Sequence, residues 1–490
     1  MFQLTRRSFL EHTLAVASAG MAIADQAIGS PADVPASQSA PRVNPNSRIG
    51  VAVIGLHGRG LSHVDAYSFD DRVQIVALCD IDHSTFAAAQ KMLQGRGRPP
   101  ATQYTDIRKL VEDKSVDAVS IATPNHWHAL AAFWAMQAGK DAYVEKPVSH
   151  ELTEGRRLEQ ARVKFNRICQ AGTQARSNPA HMQGIEYIRK GGIGRVLLAR
   201  GLCYKLRNSI GHFPDGPVPA GVDYDLWLGP APLRPFNPNR FHYNWHWNWD
   251  YGNGDIGNQG IHQMDICRWA IGQQLPKSAI SLGGRFGYED DGQTPNTQLA
   301  LFEYPDAPPV LFEVRGLKSP PLMGVGVGNI VYGTEGFVAF ANEDSRSVVA
   351  FDAEGKAVKT FRGSASHFAN FISAVQNRKQ SDLHCPILEG HLSSAMCHLS
   401  NISYRTGKPH PFAARAAMLG YPIDFAEAFG RFEQHLADSA LKLQESSYQF
   451  GPRLAFDPAT EKFPSNPQAN ALLRREYRQP FVLPEEIEAL

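Results

Sequence analysis

Three groups of residues in this 490-residue sequence have types and spacings that could do chemistry. The first is a glycine turn, Gly55-Leu56-His57-Gly58-Arg59-Gly60, which follows the apolar run 48–54 and precedes 61–69. Strand, turn and helix in that order let main-chain N–H groups meet a pyrophosphate. The second is a pair of polar clusters, Thr123-Pro124-Asn125-His126-Trp127-His128 and Glu145-Lys146-Pro147, each directly after an apolar run. Ligands of parallel sheets sit beyond the carboxyl ends of the strands, and Pro147 fixes the loop that presents Lys146. The third is Asn258, His262, Asp265 and Trp269. At about 100° per residue they share one narrow face of a helix whose broad remainder carries Ile261, Met264, Cys267 and Ile271. A polar stripe on an apolar helix reads as a pocket wall; the other reading is a core histidine paired with Asp265.

The elements that must position these groups follow from the pattern. A second strand over 73–78 ends in Cys79-Asp80-Ile81-Asp82, about 25 residues beyond Gly55, where a carboxylate accepts both ribose hydroxyls of a dinucleotide. An acid there repels a 2′-phosphate, which favours NAD over NADP. Asp82 reads as the N-cap of the segment starting at His83. Strands over 116–122, 141–144 and 167–171, with helical stretches between them, complete a doubly wound parallel sheet spanning 47–171. From 172 to 410 the pattern changes. A helix over 182–190 is followed by strand candidates at 196–203, 279–286, 297–304, 310–314 and 328–332. Consecutive strands without intervening helices predict an antiparallel sheet in an α+β domain. Helices over 367–376 and 391–404 follow, and 411–490 reads as a C-terminal arm with Arg474, Arg475 and Arg478 among apolar residues.

The segment from Arg240 to Tyr251 is far more aromatic than the chain's 10% average. Aromatic faces with polar neighbours suit the C–H faces and hydroxyls of a sugar, so Arg240, His242 and Tyr243 are candidate substrate contacts. The bland alternative is an aromatic loop packed under itself or in a subunit contact. His242 and His246 have the i,i+4 spacing of a metal pair, but no helix signal accompanies them, and no metal site is assigned. Tyr204, Tyr243 and Tyr251 are candidate acid/base phenols. His391 and His398 share a helical face and read as core histidines.

With 49 Lys+Arg against 48 Asp+Glu, the chain has no general basic field for nucleic acid. Small molecules are the expected ligands. Its six cysteines form no C-x-x-C pair, so neither zinc nor a disulfide framework is indicated. Thr5-Arg6-Arg7-Ser8-Phe9-Leu10 precedes an apolar run over 13–24 that is too short for stable membrane insertion, which needs about 20 residues. That layout resembles a twin-arginine signal peptide over 1–24, with Glu11 in place of the usual lysine and Ala22-Ile23-Ala24 as a cleavage motif. The Ala-, Ser- and Pro-rich 25–46 reads as a linker, and an exported, periplasmic protein is expected.

The glycine turn, the acid after the second strand, Thr-Pro-Asn-x-x-x-His and above all Glu-Lys-Pro together resemble the glucose-fructose oxidoreductase / inositol dehydrogenase / rhizopine catabolism (Gfo/Idh/MocA) family. Asp225-Leu226-Trp227-Leu228-Gly229-Pro230, the run from Arg240 to Trp249 and Gly390-His391-Leu392-Ser393-Ser394 look like a long bacterial subgroup of it, often exported. The resemblance implies a homo-oligomer, dimer or tetramer, whose second-domain sheet meets another subunit, with the C-terminal arm crossing a neighbour. It also implies that the first domain binds NAD through Gly55, His57, Gly58, Arg59, Gly60, Asp80, Thr123, Asn125, His128, Glu145 and Lys146. Lys146 and His262 match the family's catalytic positions. The family's aspartate is replaced by Asn258, an amide that orients a hydroxyl but takes no proton. Base duty then falls on His262, with Lys146 polarising the oxygen and Asp265 a candidate to orient His262.

The implied activity is hydride transfer between a sugar carbinol and tightly held NAD. A redox-neutral glycosidase resembling glycoside hydrolase family 109 uses the same residues, and a non-catalytic carbohydrate-binding protein is the third class.

Overall fold

The computed structural model describes residues 48–414 and 422–487. The expected signal peptide and linker lie outside them. The first domain is built on a six-stranded parallel sheet, ordered β3-β2-β1-β4-β5-β6. Its strands are β1 (Ile49–Ile54), β2 (Val73–Cys79), β3 (Thr102–Tyr104), β4 (Ala118–Ile121), β5 (Asp141–Glu145) and β6 (Cys169–Gly172). Residues of β1, β4 and β5 are wholly buried, as continuous apolar runs covered by helices on both faces must be. Helix α1 (Arg59–Ser68) follows the glycine turn and α2 (Phe86–Gly95) follows β2. Asp82 caps the turn ahead of α2, accepting from the Ser84 N–H at 2.9 Å. Helix α3 (Ile107–Leu110) lies between β3 and β4, α4 (Asn125–Gln137) opens with the Thr-Pro-Asn cluster, and α5 (Leu152–Phe165) crosses to β6.

After α6 (Pro179–Arg189) the chain builds an eleven-stranded sheet. Its centre is β7 (Val196–Tyr204), flanked by β10 (Val310–Arg315) and β11 (Val327–Gly333); β8 (Ser278–Gly284) and β9 (Thr297–Glu303) continue one side, β12 (Gly336–Phe340), β13 (Ser347–Asp352) and β14 (Ala357–Arg362) the other. It is mixed rather than purely antiparallel, because β7 and β10 pair in parallel. The expected continuous helix over 258–271 is instead two: α8 after α7 (Tyr224–Leu228) spans Gly254–Asn258, and α9 spans Gly260–Ile271. A Cβ at Gly260 would stand 2.6 Å from the Phe312 ring, so only glycine lets α9 lie this close to the sheet. Ile261, Met264 and Cys267 of α9 are fully buried in the core with Phe312 and Val331, and its polar face meets Arg176, Ser393 and Glu343.

Helices α10 (His367–Asn377) and α11 (Ile387–Arg405) return towards the first domain. Beyond them the described residues of 411–490 pack on the same chain. Helix α12 (Ile423–Asp438) lays Phe425, Phe429, Phe432 and Leu436 over the outer sheet face with Leu299, Leu311 and Ile330. Phe481, Leu483 and Ile487 are buried among Trp127, Leu130 and Phe133 of the first domain. Arg478 binds Asp225 at 2.6 Å, and the Tyr477 hydroxyl donates to Glu154 at 2.9 Å. Apolar burial on the same chain, at roughly 25 cal/mol per Å2, holds the tail where it is. Among the described residues no helix is long and apolar enough to cross a membrane.

Candidate active site at the domain junction

A cleft of about 310 Å3 runs from the glycine turn to the junction of the two domains. At one end are His57, Gly58, Arg59 and Asp80; at the other are Lys146, Asn258 and His246. Gly58 holds the N-terminus of α1 with φ +51°, and a Cβ there would meet nothing within 4 Å. The turn therefore presents bare backbone to the cleft, where an anion meets the positive end of the helix. Asp80 accepts from the Leu56 N–H at 2.6 Å and the Asp82 N–H at 2.9 Å, which fixes its carboxylate at the end of β2. Burial pushes this carboxyl upward, and the two N–H donors oppose that shift. The hydroxyl of Thr123 lines the same cleft, buried and without a protein partner. Bare backbone, a fixed carboxylate and an orphaned hydroxyl fit the diphosphate and ribose of a dinucleotide.

Several of the expected cofactor residues build the cleft by binding one another. Glu145 accepts from Arg59 Nε at 2.8 Å and contacts His63 Nε2 at 3.1 Å. Burial alone would raise its carboxyl, but Arg59 and His63 hold it well below the usual range. Arg59 is thereby committed to Glu145, leaving Asp80 to decide between ribose and phosphate. His128 lies 2.6 Å from the Pro147 carbonyl and 2.8 Å from that of Thr123, so its ring ties the two polar loops together. Asn125 donates to Asn253 at 2.9 Å, joining the first domain to the second.

Lys146 is partly buried and donates from Nζ to the main-chain carbonyl of Asn258 at 2.6 Å. Burial lowers its pKa, with Glu145 and Glu343 acting in the opposite sense. The Asn258 side chain lines the cleft beside it. His262 is buried one turn further on, behind this wall rather than in it. Its Nε2 lies 3.6 Å from Glu343 Oε1, and its Nδ1 is buried with no hydrogen-bond partner. Burial lowers the imidazole pKa, and the Glu343 carboxylate opposes the shift.

Three expected substrate contacts are placed differently. Asp265 does not orient His262: it is fully buried in a bidentate pair with Arg176, both bonds 2.8 Å, and accepts from Ser393 at 2.7 Å. The guanidinium on the facing element wins because a carboxylate without water needs a countercharge. Arg240 lies outside the cleft, 3.3 Å from Asp215. His242 lines the cleft but at its nucleotide end, stacked on His57 with ring centroids 4.7 Å apart and 3.2 Å from Asp82. Tyr243 also lines the cleft, half exposed, and accepts from Arg207 at 3.1 Å. Of the candidate phenols, Tyr204 donates to Glu313 at 2.8 Å, and Tyr251 is buried against Trp227.

Two residues join the site without having been singled out for it. His246 lines the cleft and donates from Nδ1 to the Tyr243 carbonyl at 2.5 Å, which leaves Nε2 as the acceptor nitrogen. Burial, reinforced by the nearby cations of Lys146 and Arg207, pushes it down to about 3, so the ring is neutral. Glu343 is the other; it reaches α9 from the connection between β12 and β13.

Fold and cleft define a two-domain dinucleotide-binding protein with its reactive groups at the domain junction. Residues 49–173 match the family model for the Gfo/Idh/MocA oxidoreductase family's NAD-binding Rossmann fold, and 199–282 match that for its C-terminal alpha/beta domain. Residues 49–173 are an NAD-binding Rossmann domain of the Gfo/Idh/MocA oxidoreductase family. Among curated relatives, a glycosyl hydrolase family 109 protein 1 of Shewanella sp. (strain MR-4) is 27% identical over 216 residues, 40% of this chain and 45% of that one. The chain thus spans under half the length of the curated relatives it matches. Among solved structures, the WlbA dehydrogenase of Bordetella pertussis, in complex with NADH and UDP-GlcNAcA, is similar with a TM-score of 0.53 at 18% identity, covering 73% of this chain and 97% of that one. A levoglucosan dehydrogenase in complex with NADH and levoglucosan has a TM-score of 0.53 at 18% identity, covering 72% and 96%.

Proposed function

We propose that this protein is an NAD-dependent oxidoreductase acting on a ring carbinol of a sugar or sugar derivative. The observation that carries the reading is one cleft holding a dinucleotide cradle at one end and Lys146, Asn258 and His246 at the other. The bound nicotinamide supplies an acceptor for the carbinol hydrogen and its electron pair. As the C=O double bond forms, the O–H bond breaks and its proton passes through a bridging water to His262, which lies behind the Asn258 wall and whose Nδ1 has no protein partner. Lys146 stabilises the negative charge that develops on oxygen. The Asn258 amide and His246 Nε2 orient the flanking hydroxyls.

A second reading is supported by the family 109 relatives: a redox-neutral glycosidase in which oxidation, elimination of the aglycone, addition of water and reduction close a cycle. The twin-arginine-type leader supports export to the periplasm, and an exported enzyme is best served by NAD that stays bound between turnovers. Membership of the long exported bacterial subgroup and a dimeric or tetrameric assembly are parts of the same proposal, the latter checked by light scattering.

The deciding experiment incubates the purified protein with a panel of chromogenic glycosides and free sugars, without added NAD, following aglycone release and nicotinamide absorbance together. Reduction limited to the bound nicotinamide, without aglycone, supports the oxidoreductase. Steady aglycone release without net reduction supports the glycosidase. No response from any sugar, with nucleotide bound, overturns both.

A further inference from the structure

The fold brings a carboxylate to the start of α9 from a distant loop. Glu343 lies in the connection between β12 and β13, yet its two oxygens accept from Gln259 Nε2 at 3.1 and 3.0 Å, and Oε2 from Gln263 Nε2 at 3.4 Å. Gln259 and Gln263 flank His262 on either side. Glu343 Oε1 is 3.6 Å from His262 Nε2, too long for a hydrogen bond and within ion-pair range. Such contacts commonly tighten when a ligand fills the site. We propose that Glu343, reaching α9 from the β12–β13 connection, is the positioning residue of the proton-accepting histidine.

The geometry fixes what Glu343 can do. A carboxylate at Nε2 holds the proton on that nitrogen and leaves Nδ1, the orphaned atom, as the base. It also stabilises the imidazolium that forms when Nδ1 takes a proton. The other charged groups that face His262 are Lys146, Glu145 and Arg59, and His181 stands near Glu343 itself. Glu145 is already neutralised by Arg59, so Glu343 is the carboxylate left to balance Lys146 and a protonated His262. The bland alternative is that Glu343 only fastens its loop to α9 through the two glutamines. The inference rests on His262 being the proton acceptor of the proposed reaction.

The test uses the full-length protein with NAD bound and the best sugar from the panel. E343Q keeps both glutamine contacts within reach but removes the charge. It is expected to lower kcat about 10- to 100-fold with little change in KM, and to move the acid limb of the pH profile to lower pH. E343D is expected to stay within about tenfold of the wild type. Independently of turnover, the His262 imidazole is titrated by NMR with 13C-labelled histidine, the resonance being identified by its loss in H262Q. A downward shift in E343Q supports the proposal even if no sugar is turned over, which would count against the proposed function alone. Unchanged kcat, pH profile and His262 titration in E343Q overturn it. If E343Q does not fold, E343D decides: an acid limb and a His262 titration moved to lower pH, because the shortened carboxylate stands further from Nε2, support the coupling, and no movement overturns it.

Discussion

Lys146, at the end of a strand of the nucleotide-binding domain, donates a 2.6 Å hydrogen bond to the main-chain carbonyl of Asn258, a residue of the second domain. The bond crosses the domain junction and holds the ammonium at the cleft wall. It spends one of three N–H donors on the carbonyl and leaves two for a ligand. Neither domain alone makes this arrangement, so the reactive end of the cleft depends on their docking.

Replacing Lys146 by alanine is expected to lower turnover by about 10²- to 10³-fold, the size of loss seen when one donor to a developing oxyanion is removed. Nucleotide affinity should change little, because the cradle lies at the other end. A pH series on the wild type gives a second check. Burial lowers the Lys146 pKa from the ordinary 10.5, so the cationic donor is present at low pH and is lost as pH rises through that lowered value. The alkaline limb of kcat should therefore lie below 10.5, and it should vanish in the residual activity of Lys146→Ala.

Asp80 should set the choice between nicotinamide cofactors. Its carboxylate is fixed by two main-chain N–H groups, and Arg59 is engaged by Glu145. Asp80→Asn is expected to weaken NAD binding about tenfold, the cost of converting charge-assisted hydrogen bonds to neutral ones. NADP should gain relative to NAD in the same variant. Fluorescence titrations with both nucleotides measure the two affinities; an unchanged ratio would place the ribose elsewhere.

The strand, turn and helix around Gly55 to Gly60, Asp80 at the end of β2 and Lys146 after β5 are legible in sequence because each depends on neighbours a few residues away. What sequence hides is pairing across distance. Asp265 looked like a partner for His262 three residues earlier, yet its charge is taken by Arg176, 89 positions away. Glu343 carries no local signal: it is one acid in a polar turn between two strands, 84 positions from the Gln259 it binds. His246 was visible as one aromatic among many, but the carbonyl that fixes its tautomer belongs to a turn with no periodicity. The break between α8 and α9 was equally silent, since Asn258 and His262 fit one ideal helical face.

His246→Ala is expected to raise KM for the sugar about tenfold while leaving the nucleotide affinity unchanged, since its acceptor nitrogen contributes one hydrogen bond. The ring is held down to about 3 by burial and the nearby cations. It is thus neutral from pH 5 to 8, and the KM ratio of variant to wild type should be flat across that window. A ratio that changes within it would mean that His246 titrates during the reaction, which the closed bond from Nδ1 to Tyr243 argues against.

The Arg176–Asp265 pair predicts an effect on stability instead. Both side chains are buried, and Asp265 has no access to water. Asp265→Ala leaves the guanidinium without its bidentate partner and should cost about 3–5 kcal/mol, the usual penalty for breaking a buried pair from one side. Chemical unfolding followed by tryptophan fluorescence measures it. Burial by itself would raise the Asp265 carboxyl, but Arg176 and Ser393 hold it below the unfolded value. A carboxyl depressed by folding adds stability that is fully present above the unfolded value of about 4 and is lost as pH falls through the folded one. The difference in stability between wild type and Asp265→Ala should therefore be constant near neutrality and shrink on acidification below about pH 4. A difference that stays constant into acid would mean that the carboxylate is not what holds α9 to Arg176 and Ser393.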